Sequence, residues 1–313
     1  MQKGPHLPEL RSKTAPLLAI LLLCLIWAFA SLRSDLFPAS TRTANSLAAQ
    51  AAALALLAII AAALALVRRA PWPLGAVLRS TVLAGIGLFA VPSVLLKLAN
   101  GNVDDATRVA LFSLTPVFAV VFEPYLGSGS TSRQRGGLAA SLIAVCGTLL
   151  VFPINLPQTG VAALACCEIL ASVVSVAAAN CFSVRLMREQ TARSSLSLAA
   201  VAAGAAALAL GLCSAIFERH AWSTPRADLW NLLDWLPLVL LFWLMRRMTA
   251  VRMTTRFLIA PLMANLAGLA FLHFEVQTRS GLGLLLIAAG SAWLLIGPED
   301  EPEQTGPSLN IAS

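Results

Sequence analysis

The chain has 313 residues, of which 58% are hydrophobic and 12% charged, and its mean hydropathy is +0.80. A soluble globular domain carries roughly 25% charged residues, so water is not the main solvent here and length sets a number of membrane helices, not of globular domains. The formal charge of +7 is dispersed over the gaps between apolar runs, which excludes a nucleic-acid surface and reads as a topology signal.

A helix needs about 20 mostly apolar residues to cross the hydrocarbon core. Such runs occupy 15–32, 43–67, 75–98, 105–122, 136–152, 160–184, 196–217, 229–245, 253–274 and 280–296, predicting an all-α polytopic membrane protein of about ten transmembrane helices. At the start, Lys3, Arg11 and Lys13 followed by an apolar run and Ala28-Phe29-Ala30 imitate a cleavable secretory signal. Removing this segment would leave an odd helix count, so it is read as the first helix. Between the third and fourth runs, Asn100-Gly101-Asn102 predicts a turn, and Asp104 and Asp105 suit the cap of the fourth helix. Pro153 to Pro157 separates helices five and six. Trp222, Trp230 and Trp235 fit an outer aromatic belt, and the six cysteines, all inside apolar stretches without metal-like spacing, read as small buried packing residues. Arg and Lys concentrate on the segments that face inward when the N-terminus is cytoplasmic, and an even count returns the C-terminus to the same side.

Laying helices four and five over nine and ten without gaps aligns Phe112 with Phe257, Pro116 with Pro261, Gly136 with Gly281 and Pro153 with Pro298. Two five-helix repeats must insert in opposite orientations, because five is odd. The expected organisation is a cytoplasmic segment 1–14, a first repeat 15–153, a second, inverted repeat 154–298 and an acidic cytoplasmic tail 299–313. Inverted repeats are a transporter architecture whose site lies between the halves near mid-membrane.

The segment Ser113-Leu114-Thr115-Pro116-Val117-Phe118, followed by Thr131-Ser132-Arg133-Gln134-Arg135-Gly136 and the apolar run to Val151, resembles the EamA-like repeat of the drug/metabolite transporter superfamily. Trp27 within Leu25-Ile26-Trp27-Ala28 looks like the tryptophan that opens such repeats. The likeness in layout spans nearly the whole chain, with specific residues concentrated in helices four and five. It implies a ten-helix carrier of small metabolites or drugs, an exporter or exchanger in the inner (plasma) membrane with both termini cytoplasmic. It also implies a cavity lined mainly by helices one, three, four, six, eight and nine. Departures are visible: Gly127-Ser128-Gly129 stands where a Gly-Glu pair often closes helix four, and Arg42 is an offset counterpart of the usual arginine near helix two.

A charge inside a membrane helix costs about 2.5–3.5 kcal/mol on insertion scales, so each needs a reason. Glu168 lies two turns into helix six, with Ser172, Ser175 and Ala179 following at helical spacing. This stripe should face the interior, and Glu168 reads either as a proton- or amine-binding carboxylate or as an acid satisfied by a neighbouring helix. Arg108 reads as a carboxylate clamp or as the partner of Asp104 or Asp105, Glu123 as a gate or a surface ion pair, and Asp234 as a helix cap. Lys97 is expected to snorkel outward and Arg256 to anchor the inner interface. Asn265 lies one turn beyond Pro261, where a carbonyl is freed, and is otherwise a helix-to-helix hydrogen bonder. Trp27 and Thr115 complete the candidate binding or coupling set, with no catalytic residue, metal or cofactor expected.

The leading expectation is therefore a secondary transporter of a small organic solute in contact with the bilayer, binding no nucleic acid, with a homodimer left open. No Walker motif is present, which argues against ATP hydrolysis by the chain. An intramembrane enzyme is the alternative from another class, but His6, His220 and His273 are scattered and neither HExxH nor GxSxG occurs. A non-transporting assembly subunit is the third reading.

Overall fold

Without water to satisfy peptide groups, a membrane chain must close its backbone hydrogen bonds inside each segment, which favours helices. The computed structural model describes residues 7–36, 46–126, 134–155, 157–189, 195–218, 235–272 and 277–297, and every regular element among them is helical. The helices are α1 Leu7–Leu36, α2 Leu47–Val67, α3 Ala76–Ala99, α4 Asp105–Leu126, α5 Gln134–Val151, α6 Gly160–Glu189, α7 Ser195–Phe217, α8 Trp235–Met245, α9 Ala250–Thr254 continued as Arg256–Leu272, and α10 Thr278–Ile296. Seven of them, α2, α3, α4, α6, α7, α9 and α10, are long and apolar enough to cross a membrane by length and composition. The apolar stretches Thr14–Ala30, Gly136–Val151 and Leu236–Met245 are shorter. Arg42, Gly127 to Arg133, Trp222, Trp230, Asp234, His220, His273, Glu275, Pro298 and the acidic tail lie outside the described residues.

Large apolar side chains such as Leu18, Ile59, Leu83, Leu208, Leu212 and Leu285 stand outward and exposed, the surface of a protein whose surroundings are lipid. The cysteines divide across this boundary. Cys24 and Cys181 are buried, whereas Cys146 and Cys167 are exposed, so the expectation that all six are buried holds for those two alone; Cys166 and Cys213 are intermediate.

Punctuation in the sequence becomes geometry at the helix ends. Gly101 takes φ +84° in the predicted turn, a conformation that costs glycine nothing. Asp104 caps α4 by accepting from the Thr107 N–H at 3.3 Å, and Thr249 caps α9 by accepting from the Arg252 N–H at 3.4 Å. The hydroxyl and N–H of Thr107, with the Asn155 side-chain amide, hold the Asp104 carboxyl below its ordinary value.

Three helices depart from regular winding. In α3, residues Ile86–Ala90 form a π turn, which leaves backbone groups to be satisfied elsewhere; the Ser175 hydroxyl of α6 donates to the Gly87 carbonyl at 2.8 Å. In α4 the helix loosens at Ser113 and Leu114, because Pro116 has no N–H to give the Phe112 carbonyl; the Thr115 hydroxyl donates to it at 2.6 Å instead. In α9 the break falls at Thr255, where Thr254 and Thr255 turn their hydroxyls back onto the carbonyls of Val251 and Arg252.

The helices pack in a consistent pattern. α2 lies along α7, α5 along α10, and α4 against α9. α1 packs on α8 and α9, while α6 packs on α3 and α4. Glycine sets the closest approaches: a Cβ on Gly147 of α5 would lie 2.6 Å from the Gly283 carbonyl of α10, and one on Gly283 would lie 2.7 Å from the Gly147 carbonyl. Gly290 meets the Ala140 carbonyl in the same way, so the two helices run antiparallel at backbone contact, as small residues permit where hydrocarbon gives helices no reason to associate. Gly85 of α3 lies as tightly against the Ala202 backbone of α7.

Candidate functional site

Where α1, α4 and α6 meet α9, the interior is polar. Its centre is Arg256, the first residue after the α9 break, whose side chain is only 2% exposed. Because α9 begins at Ala250, Arg256 sits about 9 Å along the helix and not at its inner rim; the expected interfacial anchor is a buried cation. Its Nη1 donates to the Asn180 side-chain oxygen of α6 at 3.2 Å and to the Met253 carbonyl at 3.0 Å. The guanidinium carbon stands 5.7 Å from the Trp27 ring centroid and 4.6 Å from that of Phe257, within the range of cation–π attraction. Trp27 thus supplies an aromatic face from α1, and the Cys24 thiol one turn earlier lies 4.0 Å from the Arg256 carbonyl.

Around this centre the remaining candidates spread along α4, α6 and α9. Thr115 is buried and engaged with the Phe112 carbonyl. Ser172 is fully buried and its hydroxyl has no partner among the described residues, while Ser175 is spent on the π turn and Ala179 is buried. The stripe on α6 therefore faces inward. Glu168, one turn before Ser172, is half-buried on the flank of that stripe. Glu123 is half-buried one turn beyond Ala119, whose carbonyl accepts the Cys181 thiol at 3.5 Å. Asn265 donates to the Pro261 carbonyl at 2.9 Å, a bond within α9 and not the helix-to-helix bond expected of it.

Two basic residues are taken up by local partners. Arg108 pairs with Asp105 at 3.2 Å and donates to Asn100 at 3.4 Å. Lys97, expected to snorkel outward, instead pairs at 2.7 Å with Glu218, whose side chain is 7% exposed. Glu218 also accepts from Ala48 N–H at 3.2 Å and from the Ser214 hydroxyl at 3.1 Å, joining the ends of α3 and α7 to the start of α2. Burial pushes the Glu218 carboxyl up, but Lys97, the N–H groups of Leu47 and Ala48 and the Ser214 hydroxyl outweigh it, and the group lies below its ordinary value of 4.5. Between α3, α6, α7 and α8, a cavity of about 10 Å³ is lined by residues including Thr81, Leu88, Phe89, Ser183, Met187 and Phe242, room for about one water.

Sequence reasoning weighed Arg256 and misplaced it, and passed over Asn180 and Glu218. Thr249 three residues before Arg252 was the available signal for an earlier start to α9. Asn180 carried none beyond its place at the end of an inward-facing stripe.

No known family matches the chain, and no curated protein matches it. A solved structure described as "Crystal structure of protein" superposes on it with a TM-score of 0.69, covering 91% of this chain and 98% of its own at 19% identity. At that identity the likeness shows the fold alone.

Proposed function

We propose that this chain is a secondary transporter of a small organic solute, built from ten spans as two inverted five-helix halves that expose a shared central site alternately to each side. One observation carries the reading: several of the main helix contacts come in matched sets under exchange of α1–α5 with α6–α10. The contact of α1 with α9 is answered by α6 with α4, and that of α1 with α8 by α6 with α3. Of the five pairs that exchange would map onto themselves, three, α2 with α7, α4 with α9 and α5 with α10, are in contact. The caps Asp104 and Thr249 hold equivalent places when Phe112 is laid on Phe257. An antiparallel α5 and α10 fits halves of opposite orientation. The polar centre at Arg256, Asn180 and Trp27 is then the solute site, Ser172 lies about 12 Å further along α6 on the same inward stripe, and Glu168 one turn beyond is the acid for proton coupling.

Ser172 tests alternating access without any ligand. It lies about 18 Å along α6, near mid-span, and is fully buried. In a background with the six native cysteines replaced, Ser172→Cys in sealed vesicles of either orientation is exposed to a membrane-impermeant maleimide. Labelling from both faces supports the carrier. Labelling from neither, in folded protein, removes it.

A further inference from the structure

Arg256 is a buried cation without an anion. Among the described residues no carboxylate lies within ion-pairing distance of it. Its polar partners are a neutral amide and a backbone carbonyl, both on Nη1. Among the described residues, buried Nε has no hydrogen-bond partner and Nη2 has none either. Nε and Nη2 form the edge of a guanidinium that presents two parallel N–H donors, the geometry that matches one carboxylate side-on.

Leaving such donors unpaired in the interior of a membrane protein is costly, and a chain needing only a polar residue at the α9 break has cheaper choices. The Trp27 and Phe257 rings beside the guanidinium lessen the cost of the charge yet offer no acceptor oxygen. They do offer flat apolar surface to whatever lies against that edge. Arg256 also sits at the break of α9, beside the contact of α4 with α9, so a movement of one half against the other opens or closes access to it.

We propose that Arg256, oriented by Asn180, is the anion-binding group of this carrier, and that its solutes are small carboxylates with an apolar or aromatic body that rests on Trp27. The inference rests on the carrier reading and adds the class of substrate. Arg256 receives the carboxylate through Nε and Nη2, while Asn180 keeps Nη1 engaged and fixes the plane of the fork.

The test is thermal unfolding of the purified full-length protein with matched probes: benzoate against benzamide, phenylacetate against phenylacetamide, succinate against succinamide, and phenethylamine as a cation. A ligand that binds only the folded state raises the unfolding temperature. The expected result is stabilisation by at least one carboxylate and not by its amide, lost in Arg256→Gln and weakened at least tenfold in apparent Kd in Arg256→Lys. Asn180→Asp guards against a variant that fails to fold. It places a carboxylate against the guanidinium, so it should unfold at a higher temperature than the native protein while losing the response to benzoate.

Equal responses to acid and amide, a response to phenethylamine alone, no response to any carboxylate, or an undiminished benzoate response in Asn180→Asp would each overturn the inference. Labelling of Ser172→Cys from both faces needs no ligand, so the carrier reading stands or falls separately.

Discussion

The rings of Phe112 and Phe257 meet with centroids 5.7 Å apart and planes inclined by 38°, and each residue stands four places before a proline in its own helix. Each proline withdraws the N–H that would have served its phenylalanine's carbonyl; α4 loosens there, at Ser113 and Leu114, whereas α9 stays helical past Phe257 and breaks two residues earlier, at Thr255. The contact joins α4 to α9 beside the Arg256 centre, because the Phe257 ring also faces the guanidinium.

A double-mutant cycle measures how much that contact supports. Phe112→Ala and Phe257→Ala should each cost roughly 1–3 kcal/mol, less than a fully buried Phe because both rings are half-buried. The pair should cost less than the sum by about 1 kcal/mol, the size of an aromatic coupling. Unfolding in detergent micelles reads the effect, and strict additivity would mean that the rings are neighbours without mutual support.

The backbone contact of α5 and α10 gives a steric prediction. Gly147→Leu drives a side chain into the Gly283 carbonyl and the start of the Ile287 turn, where even a Cβ lies under 3 Å from three atoms. Overpacking of this kind costs about 1–3 kcal/mol or more, so the folded yield should fall sharply. Gly211→Ala, with nothing within 4 Å of its Cβ, should be neutral or slightly stabilising. Size-exclusion profiles of the two variants check both, and a monodisperse Gly147→Leu at native yield would refute the packing argument.

Helix extents were legible because apolar runs and their punctuation carry the signal: Asp104 caps where acids should, and Pro116 marks disturbed helix, although Pro261 sits in unbroken helix. The π turn at Ile86–Ala90 was not legible, since Ile-Gly-Leu-Phe-Ala has nothing that distinguishes it from regular helix; it is held by a hydroxyl 88 residues away. Arg256 was misread for a related reason. A cation near the start of an apolar run looks like an interfacial anchor, and only the Thr249 cap, which begins α9 earlier, carries it into the interior. Glu218 was passed over, because nothing local announces that Lys97 and the start of α2 converge on it.

The Lys97–Glu218 junction makes stability depend on pH. The folded carboxyl lies below 4.5, so it contributes stability that is complete above the ordinary carboxylate value and lost as pH falls through the lower, folded value. The unfolding temperature of the native protein should hold from neutrality down to about pH 5 and then decline. Glu218→Gln should flatten this acid limb. Lys97→Gln removes the leading group that lowers the carboxyl, so the folded value rises towards the ordinary one and the acid decline should shrink as well. An acid limb identical in all three proteins would show that the junction carries no linkage.

The two serines on α6 separate structural hydrogen bonding from a group held in reserve. Ser175 satisfies the Gly87 carbonyl at the π turn, so Ser175→Ala should leave a carbonyl unpaired and cost about 0.6 kcal/mol, up to roughly 1.7, the measured span for interhelical bonds in membranes. Ser172 is the more buried of the two but donates to no described group, so Ser172→Ala removes an unpaired hydroxyl and should be neutral or slightly stabilising. Its cost should appear instead in function, as weaker binding of whichever carboxylate stabilises the native protein, because the proposed site runs along the inward face of α6 on which this unpartnered hydroxyl lies. Unfolding temperatures without ligand rank the two variants, and titration with the ligand ranks them again. The assignment requires the order to reverse, with Ser175→Ala the less stable protein and Ser172→Ala the poorer binder; the same order in both measurements would make Ser172 packing alone.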